Sequence, residues 1–151
     1  MNYETLLIEA EKEKLIVKEK PLKANDGRIK GNRIAIRKDI PTLAEKACVL
    51  AEEIGHHKTT AGNIISQETI LEKKQENAAR LWAYNRLIGL RGIIDGFSHG
   101  CRNRMELAEY LGVTEVFLQN AIDCYKRKYG QYVALDNYII YFDPSLAVLM
   151  V

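Results

Sequence analysis

Three residues in the first half of the chain have the types and the spacing of a helical metal site. The chain reads Leu50-Ala51-Glu52-Glu53-Ile54-Gly55-His56, and helical residues four apart lie on one face, about 40° apart around the axis. Glu52 and His56 could therefore hold one metal ion through a carboxylate oxygen and an imidazole nitrogen. Glu53 is turned by about 100° from Glu52, and its carboxylate could serve as a general base toward water at the metal. The alternative is a solvent-exposed face of a Glu-rich amphipathic helix.

A second segment of helical composition follows, with the sequence Glu76-Asn77-Ala78-Ala79-Arg80-Leu81-Trp82-Ala83. Its small residues, Ala78, Ala79 and Ala83, would let this helix approach the first one closely. A metal site divided between two helices requires such an approach. The alternative is an ordinary helix whose alanines and Trp82 lie in the core.

The two segments together resemble a family of zinc peptidases. The first is similar to the HExxH signature with Glu52 in place of the first histidine, and the second resembles the E-x-x-A-N-x-F-A signature of the ImmA/IrrE metallopeptidases. Arg80 stands where that signature has Asn, and Trp82 where it has Phe. The resemblance implies that zinc is the cofactor, that Glu52, His56 and Glu76 are its ligands, and that Glu53 is the catalytic base.

The likeness extends loosely over most of the chain. Residues 27–36 resemble the hairpin that precedes the metal-binding helix of the family, and residues 103–113 and 129–132 resemble the C-terminal half of members carried by phages and mobile elements. The resemblance therefore implies a zinc-dependent endopeptidase that cleaves the helix-turn-helix repressor of a prophage or mobile element, and so acts as an anti-repressor.

The departure at Glu52 leaves a second function open. A carboxylate in place of an imidazole lowers the charge and the nitrogen count of the site, so weaker zinc binding is the expected cost. The chain could then be a catalytically silent regulator that binds a repressor without cutting it.

A third hypothesis is a DNA-binding transcription factor that uses residues 103–127, which resemble a helix-turn-helix with Gly112 at the turn. In such readers the start of the second helix enters the major groove. Here Glu115 lies at that start, and phosphates would repel it. We therefore favour a structural or protein-binding role for this segment over DNA binding.

The charge and the hydropathy of the chain argue against a general nucleic-acid-binding protein and against a membrane protein. The chain of 151 residues carries 22 basic and 20 acidic groups, a net charge of +2, so nothing indicates a general attraction to nucleic acid or anionic membranes. The N-terminal residues show no secretion signal, and no apolar run reaches the roughly 18 residues of a membrane span. We expect a cytoplasmic protein without a membrane partner. Cys48, Cys101 and Cys124 lack C-x-x-C spacing, so a thiolate zinc site is not expected.

The predicted fold is α+β: a mostly helical, zincin-like domain with a small antiparallel sheet, and a helical C-terminal half that contains the helix-turn-helix-like segment. We assign residues 1–100 to the catalytic core, and residues 101–151 to a helical and hairpin half that packs on the same domain.

Turn and capping signals place the elements. Gly31-Asn32 predicts a hairpin that ends in a strand at residues 33–37, which we expect to be the sheet edge that receives substrate. Thr42 with Glu45, and Thr69 with Glu72, form capping boxes that begin two helices. A second hairpin is predicted in which residues 132–135 pair with residues 138–142.

Overall fold

The computed structural model describes residues 2–60 and 69–151, apart from the side chains of Thr60 and residues 69–71. The chain has an α+β fold. Its described helices are α1 (Tyr3–Lys12), α2 (Leu43–Thr60), α3 (Thr69–Leu87), α4 (Gly89–His99), α5 (Arg104–Leu111) and α6 (Glu115–Tyr129). Its described strands are β1 (Ile16–Lys20), β2 (Gly27–Lys30), β3 (Arg33–Arg37), β4 (Tyr132–Leu135), β5 (Tyr138–Tyr141) and β6 (Ala147–Met150).

The packing of the chain defines two compact units, Met1–Ala83 and Tyr84–Val151. The first unit contains α1, α2, most of α3 and a three-stranded sheet, and the second contains α4 to α6 and another three-stranded sheet. The sequence-based assignment of residues 1–100 to a catalytic core and of residues 101–151 to a half packed on the same domain stays a prediction.

The sheet of the first unit is mixed, with the strand order β1-β3-β2. β2 and β3 form the predicted hairpin, in which Gly31 adopts a φ of +61°. β1 runs parallel to β3 on its other side. The expectation that β3 is an edge strand is therefore wrong, because Ala35 lies between Lys18 of β1 and Arg28 of β2. The sequence predicted the hairpin of β2 and β3, but it contained no signal that β1 would pair with the free side of β3.

One face of this sheet packs against α2 and forms the core of the first unit. Ile34 and Ile36 of β3 are buried, as are Leu50 and Ile54 of α2. The backbone N–H of Glu45 donates to the Thr42 hydroxyl at 3.1 Å, which caps the first turn of α2 and is one of the two bonds of the predicted capping box. The box predicted for Thr69 and Glu72 rests on a side chain outside the described residues.

The second unit places three helices beside an antiparallel sheet with the order β4-β5-β6. The predicted hairpin of β4 and β5 is confirmed, and the apolar C-terminal segment supplies β6. Gly112 ends α5 in the left-handed conformation, and the Thr114 hydroxyl caps α6 by accepting from the N–H of Phe117 at 3.1 Å. The likeness of α5 and α6 to a DNA-reading pair stays a prediction.

None of the helices in the described ranges combines the length and the apolar character that crossing a lipid bilayer demands.

Candidate metal centre

Helices α2 and α3 approach each other backbone to backbone at Gly55. A Cβ atom added to Gly55 would lie 2.4 Å from the carbonyl oxygen of Ala79, well inside van der Waals contact. Ala79 and Ala83 are fully buried, as a close approach of the two helices requires, whereas Ala78 is exposed. The small residues of both helices thus bring the two sequence segments together.

This approach places His56 beside Glu76. The Nε2 atom of His56 lies 3.3 Å from Oε2 of Glu76, and the other carboxylate oxygen, Oε1, lies 3.3 Å from Nη2 of Arg80. Arg80 and Glu76 are one helical turn apart on α3, a spacing that favours ion pairs. Two of the three predicted ligands therefore meet, and Arg80 shares the carboxylate of one of them.

Glu52 lies close enough to Arg80 and Glu76 to be affected by their charges, but it does not join them in a ligand cluster. Burial raises the pKa of Glu52 above its ordinary value, the charge of Arg80 lowers it, and the charge of Glu76 raises it further. Within residues 2–60 and 69–151, no group of three or more His, Cys, Asp or Glu side chains is arranged to hold a metal ion. The role of Glu52 as a third ligand stays a prediction.

Glu53 is the one charged side chain among the buried residues of the described chain. Its Oε2 atom is enclosed and has no hydrogen-bond partner within the part of the chain that the structure describes. Burial, followed by the charges of Glu52 and Glu76, raises the pKa of Glu53 to about 7. A buried carboxylate oxygen without a donor is costly, so this position favours a proton or a cation close to Glu53.

The sheet also contributes to the surroundings of Glu53. A Cβ atom added to Gly27 of β2 would lie 2.6 Å from Cγ1 of Val49 and 3.2 Å from Cγ of Glu53. Because Gly27 has no side chain, β2 lies directly against the part of α2 that carries Glu53.

The chemistry of these donors suits zinc, which binds imidazole nitrogen and carboxylate oxygen. Two ligands of a tetrahedral zinc ion, each about 2.0–2.1 Å from the metal, are about 3.3 Å apart. The separation of His56 Nε2 and Glu76 Oε2, 3.3 Å, equals that value. The unpartnered oxygen of Glu53 and the raised pKa values of Glu52 and Glu53 indicate an excess of carboxylates that a cation would relieve. His56 and Glu76 thus have the chemistry and the separation of two zinc ligands, and among the described residues no third ligand joins them.

Comparison of this chain with protein-family models, with curated proteins and with solved structures found no match.

Sequence reasoning missed two features of the site. Arg80 departs from the family signature, and its position four residues after Glu76 is the sequence signal for the ion pair. The contact of Gly27 with α2 left no signal in the sequence, because Gly27 belongs to a run, Asn25-Asp26-Gly27, that is equally typical of a turn.

Proposed function

We propose that this protein is a zinc-dependent endopeptidase of the ImmA/IrrE type, and that it cleaves a helix-turn-helix repressor of a prophage or mobile element. The observation that supports this proposal most strongly is the pairing of His56 and Glu76 across α2 and α3. The buried carboxylate of Glu53 lies on the same helix as His56.

In this proposal His56 and Glu76 hold the zinc ion, with Glu52 as the third ligand. Bound zinc would supply a Lewis acid that polarises the scissile carbonyl group and lowers the pKa of water. Glu53 accepts the proton of the attacking water and delivers it to the leaving amine.

The edge of the first sheet offers a place for the substrate backbone. The N–H of Arg37 donates to the carbonyl oxygen of Asp26, so the even-numbered residues of β2 bond to β3 and the N–H groups of Gly27 and Ile29 point away from it. No strand in the described residues pairs with that side of β2. A substrate segment added there would run beside Glu53, in the manner of β-strand addition.

One observation favours the catalytically silent regulator as a second candidate. Arg80 already neutralises one oxygen of Glu76, and a guanidinium group this close would repel an incoming zinc ion. If Arg80 holds Glu76 permanently, the scaffold binds a repressor without cutting it. The zinc content of the purified protein distinguishes the two candidates.

Glu53→Gln tests the proposed chemistry separately from metal binding. The amide keeps the shape of the side chain but cannot accept a proton from water. We expect this variant to bind zinc like the parent and to leave the repressor encoded by the same mobile element intact, with a loss of rate of at least about a hundredfold. Equal cleavage by the variant and the parent would remove Glu53 as the base.

A further inference from the structure

The face of the first sheet that points away from α2 is strongly basic. Side chains alternate between the two faces of a strand, and the registers of β1, β2 and β3 align eight positions on the outer face. None of these is acidic, two are apolar and six carry positive charge: Ile16, Lys18, Lys20, Arg28, Lys30, Arg33, Ala35 and Arg37. Six of the chain's 22 basic residues thus share one small surface of a protein whose net charge is only +2.

Five of these cations have no carboxylate partner among the described residues: Lys18, Lys20, Arg28, Lys30 and Arg33. Arg37, the sixth, pairs with Asp26 and Asp39. Glu19 on β1 points to the opposite face, where its carboxylate accepts from Lys46 of α2. The basic face therefore lacks the intermixed acidic residues that usually accompany surface cations.

This arrangement works against the stability of the sheet. Lys30 lies directly opposite Arg33, and Lys20 lies opposite Arg37, and like charges opposed across two strands are destabilising. An anionic ligand would relieve this repulsion. The cost suggests that the charges serve binding.

The same face contains a trough with an apolar floor. In its central row Ala35 lies between Lys18 and Arg28, whose strands are about 10 Å apart across β3. A short side chain between two long ones leaves a cavity of about 350 Å³, and Ile16 and Leu22 also line it. Ile16 is 43% exposed. An anionic ligand that lies over Ala35 could pair with Lys18 on one side and with Arg28 on the other. Its apolar part could contact the aliphatic side chain of Ile16 at one end of the trough.

We propose that the basic face binds an acidic polypeptide segment in which aliphatic residues are interspersed with Asp or Glu. Carboxylates pair with Lys18 and Arg28, and an aliphatic side chain covers Ile16. A nucleic-acid backbone would satisfy the cations but would leave Ile16 and Leu22 without an apolar partner. None of the residues on this face is aromatic, so it lacks the platforms on which single-stranded bases stack. The proposal is independent of the zinc site, since these residues lie on the face of the sheet opposite α2.

The test measures fluorescence anisotropy of the full-length protein with four labelled probes. The first is a short peptide in which Glu alternates with Val. The second replaces every Glu by Gln, the third replaces every Val by Ser, and the fourth is a duplex DNA of random sequence. We expect the Glu-Val peptide to bind most tightly and to weaken as salt is added, because exposed charge pairs are screened.

The decisive variant is the double charge reversal Lys18→Glu with Arg28→Glu. Its matched control is Lys73→Glu with Lys74→Glu, which makes the same change in net charge at two exposed positions of α3. We expect the first pair to weaken binding of the Glu-Val peptide at least about tenfold and the control pair to change it by less than about twofold. Thermal unfolding verifies that each variant is folded. Should the charge reversal unfold the protein, Lys18→Gln with Arg28→Gln provides the same comparison.

Four results would overturn the proposal. Failure of the parent to bind the Glu-Val peptide would do so, as would equal weakening by the two double variants. Tighter binding of the duplex than of the peptide would assign the face to nucleic acid instead. Equal binding of the Glu-Ser and Glu-Val peptides would show that the apolar floor of the trough does not contribute to recognition.

Discussion

Three carboxylates, those of Glu52, Glu53 and Glu76, lie close enough to influence one another's charge, and one of them, Glu76, contacts the imidazole of His56. Their mutual repulsion and their burial raise the pKa values of Glu52 and Glu53. Arg80 compensates for part of this charge by pairing with Glu76. Without a metal ion, the cluster therefore opposes folding at pH values where all three groups are ionised.

A pH dependence of stability follows from Glu53. Its pKa is about 7 in the folded protein against an ordinary 4.5, so between these values the folded state binds more protons than the unfolded state. The free energy of unfolding should then fall as the pH rises through this range, by about 2 kcal/mol. Urea unfolding of the zinc-free protein, in a chelating buffer at about pH 5 and about pH 8, measures the change.

Glu53→Gln supplies the comparison for this measurement, because an amide does not titrate. The variant should lose most of the pH dependence and should exceed the parent in stability at about pH 8. A slope identical to that of the parent would show that Glu53 titrates at its ordinary pKa.

At the scale of single residues, the sequence indicated that His56 and Glu76 could meet, as they do, and the ligand role of Glu52 stays a prediction. The interval between Glu52 and His56 fixed their common helix face, and the alanine at position 79 indicated the close approach that brings Glu76 to His56. The burial of Glu53 could not be predicted, because it depends on Gly27 of a strand whose position in the sheet was unknown.

At the scale of elements, the contact between α2 and α3 depends on the absence of a side chain at Gly55. Gly55→Ala would place a methyl group 2.4 Å from the Ala79 carbonyl oxygen, and backbone atoms cannot move aside as a flexible side chain can. We expect the free energy of unfolding to fall by about 2 kcal/mol, because strain exceeds the gain in helix propensity. Zinc affinity should fall with it as α3 is displaced.

Gly92→Ala in α4 is the matched control for this substitution. Its added Cβ atom would meet only the end of the Leu111 side chain, at 3.2 Å, and that side chain can shift. Stability should change by less than about 1 kcal/mol. Equal effects of the two substitutions in urea unfolding would contradict the close approach at Gly55.

The edge strand β2 can be tested by removing one donor. Ile29→Pro eliminates an N–H group that points away from β3, so the hairpin keeps its hydrogen bonds while a substrate strand loses one. Cleavage of the repressor should fall about tenfold or more, whereas zinc binding should stay unchanged. Ile29→Ala controls for the loss of the isoleucine side chain. If Ile29→Pro and Ile29→Ala cleave at the same rate, the substrate does not pair with β2.

The elements themselves were largely predictable, and their arrangement was not. Local hydrogen bonding and backbone preference indicated the boundaries of helices and hairpins. The residues that carry these signals are Thr42, Gly31-Asn32 and Thr114. The parallel pairing of β1 with β3 depends on a connection that crosses the sheet, and local signals do not encode such a connection. For that reason the central position of β3 could not be predicted from the sequence.

At the scale of the whole molecule, the net charge of +2 conceals a strong asymmetry. The basic residues of β1, β2 and β3 are scattered along residues 18–37, and the sheet gathers them on one face. Within β3 the alternation of side chains alone separates Arg33, Ala35 and Arg37 from the apolar Ile34 and Ile36. The registers of β1 and β2 place their basic residues on the same face as those of β3.

Zinc binding to the purified, metal-stripped protein decides whether α2 and α3 share one zinc site. Isothermal titration calorimetry of the parent is compared with His56→Ala and Glu76→Ala. The matched controls are His57→Ala, which removes the neighbouring imidazole of α2, and Glu72→Ala, which removes an exposed carboxylate of α3. We predict that the parent and both controls bind a single zinc ion with similar affinity, and that His56→Ala and Glu76→Ala each weaken binding at least about a hundredfold. Binding of zinc by these two variants as tightly as by the parent, or no binding by the parent itself, would contradict the shared site.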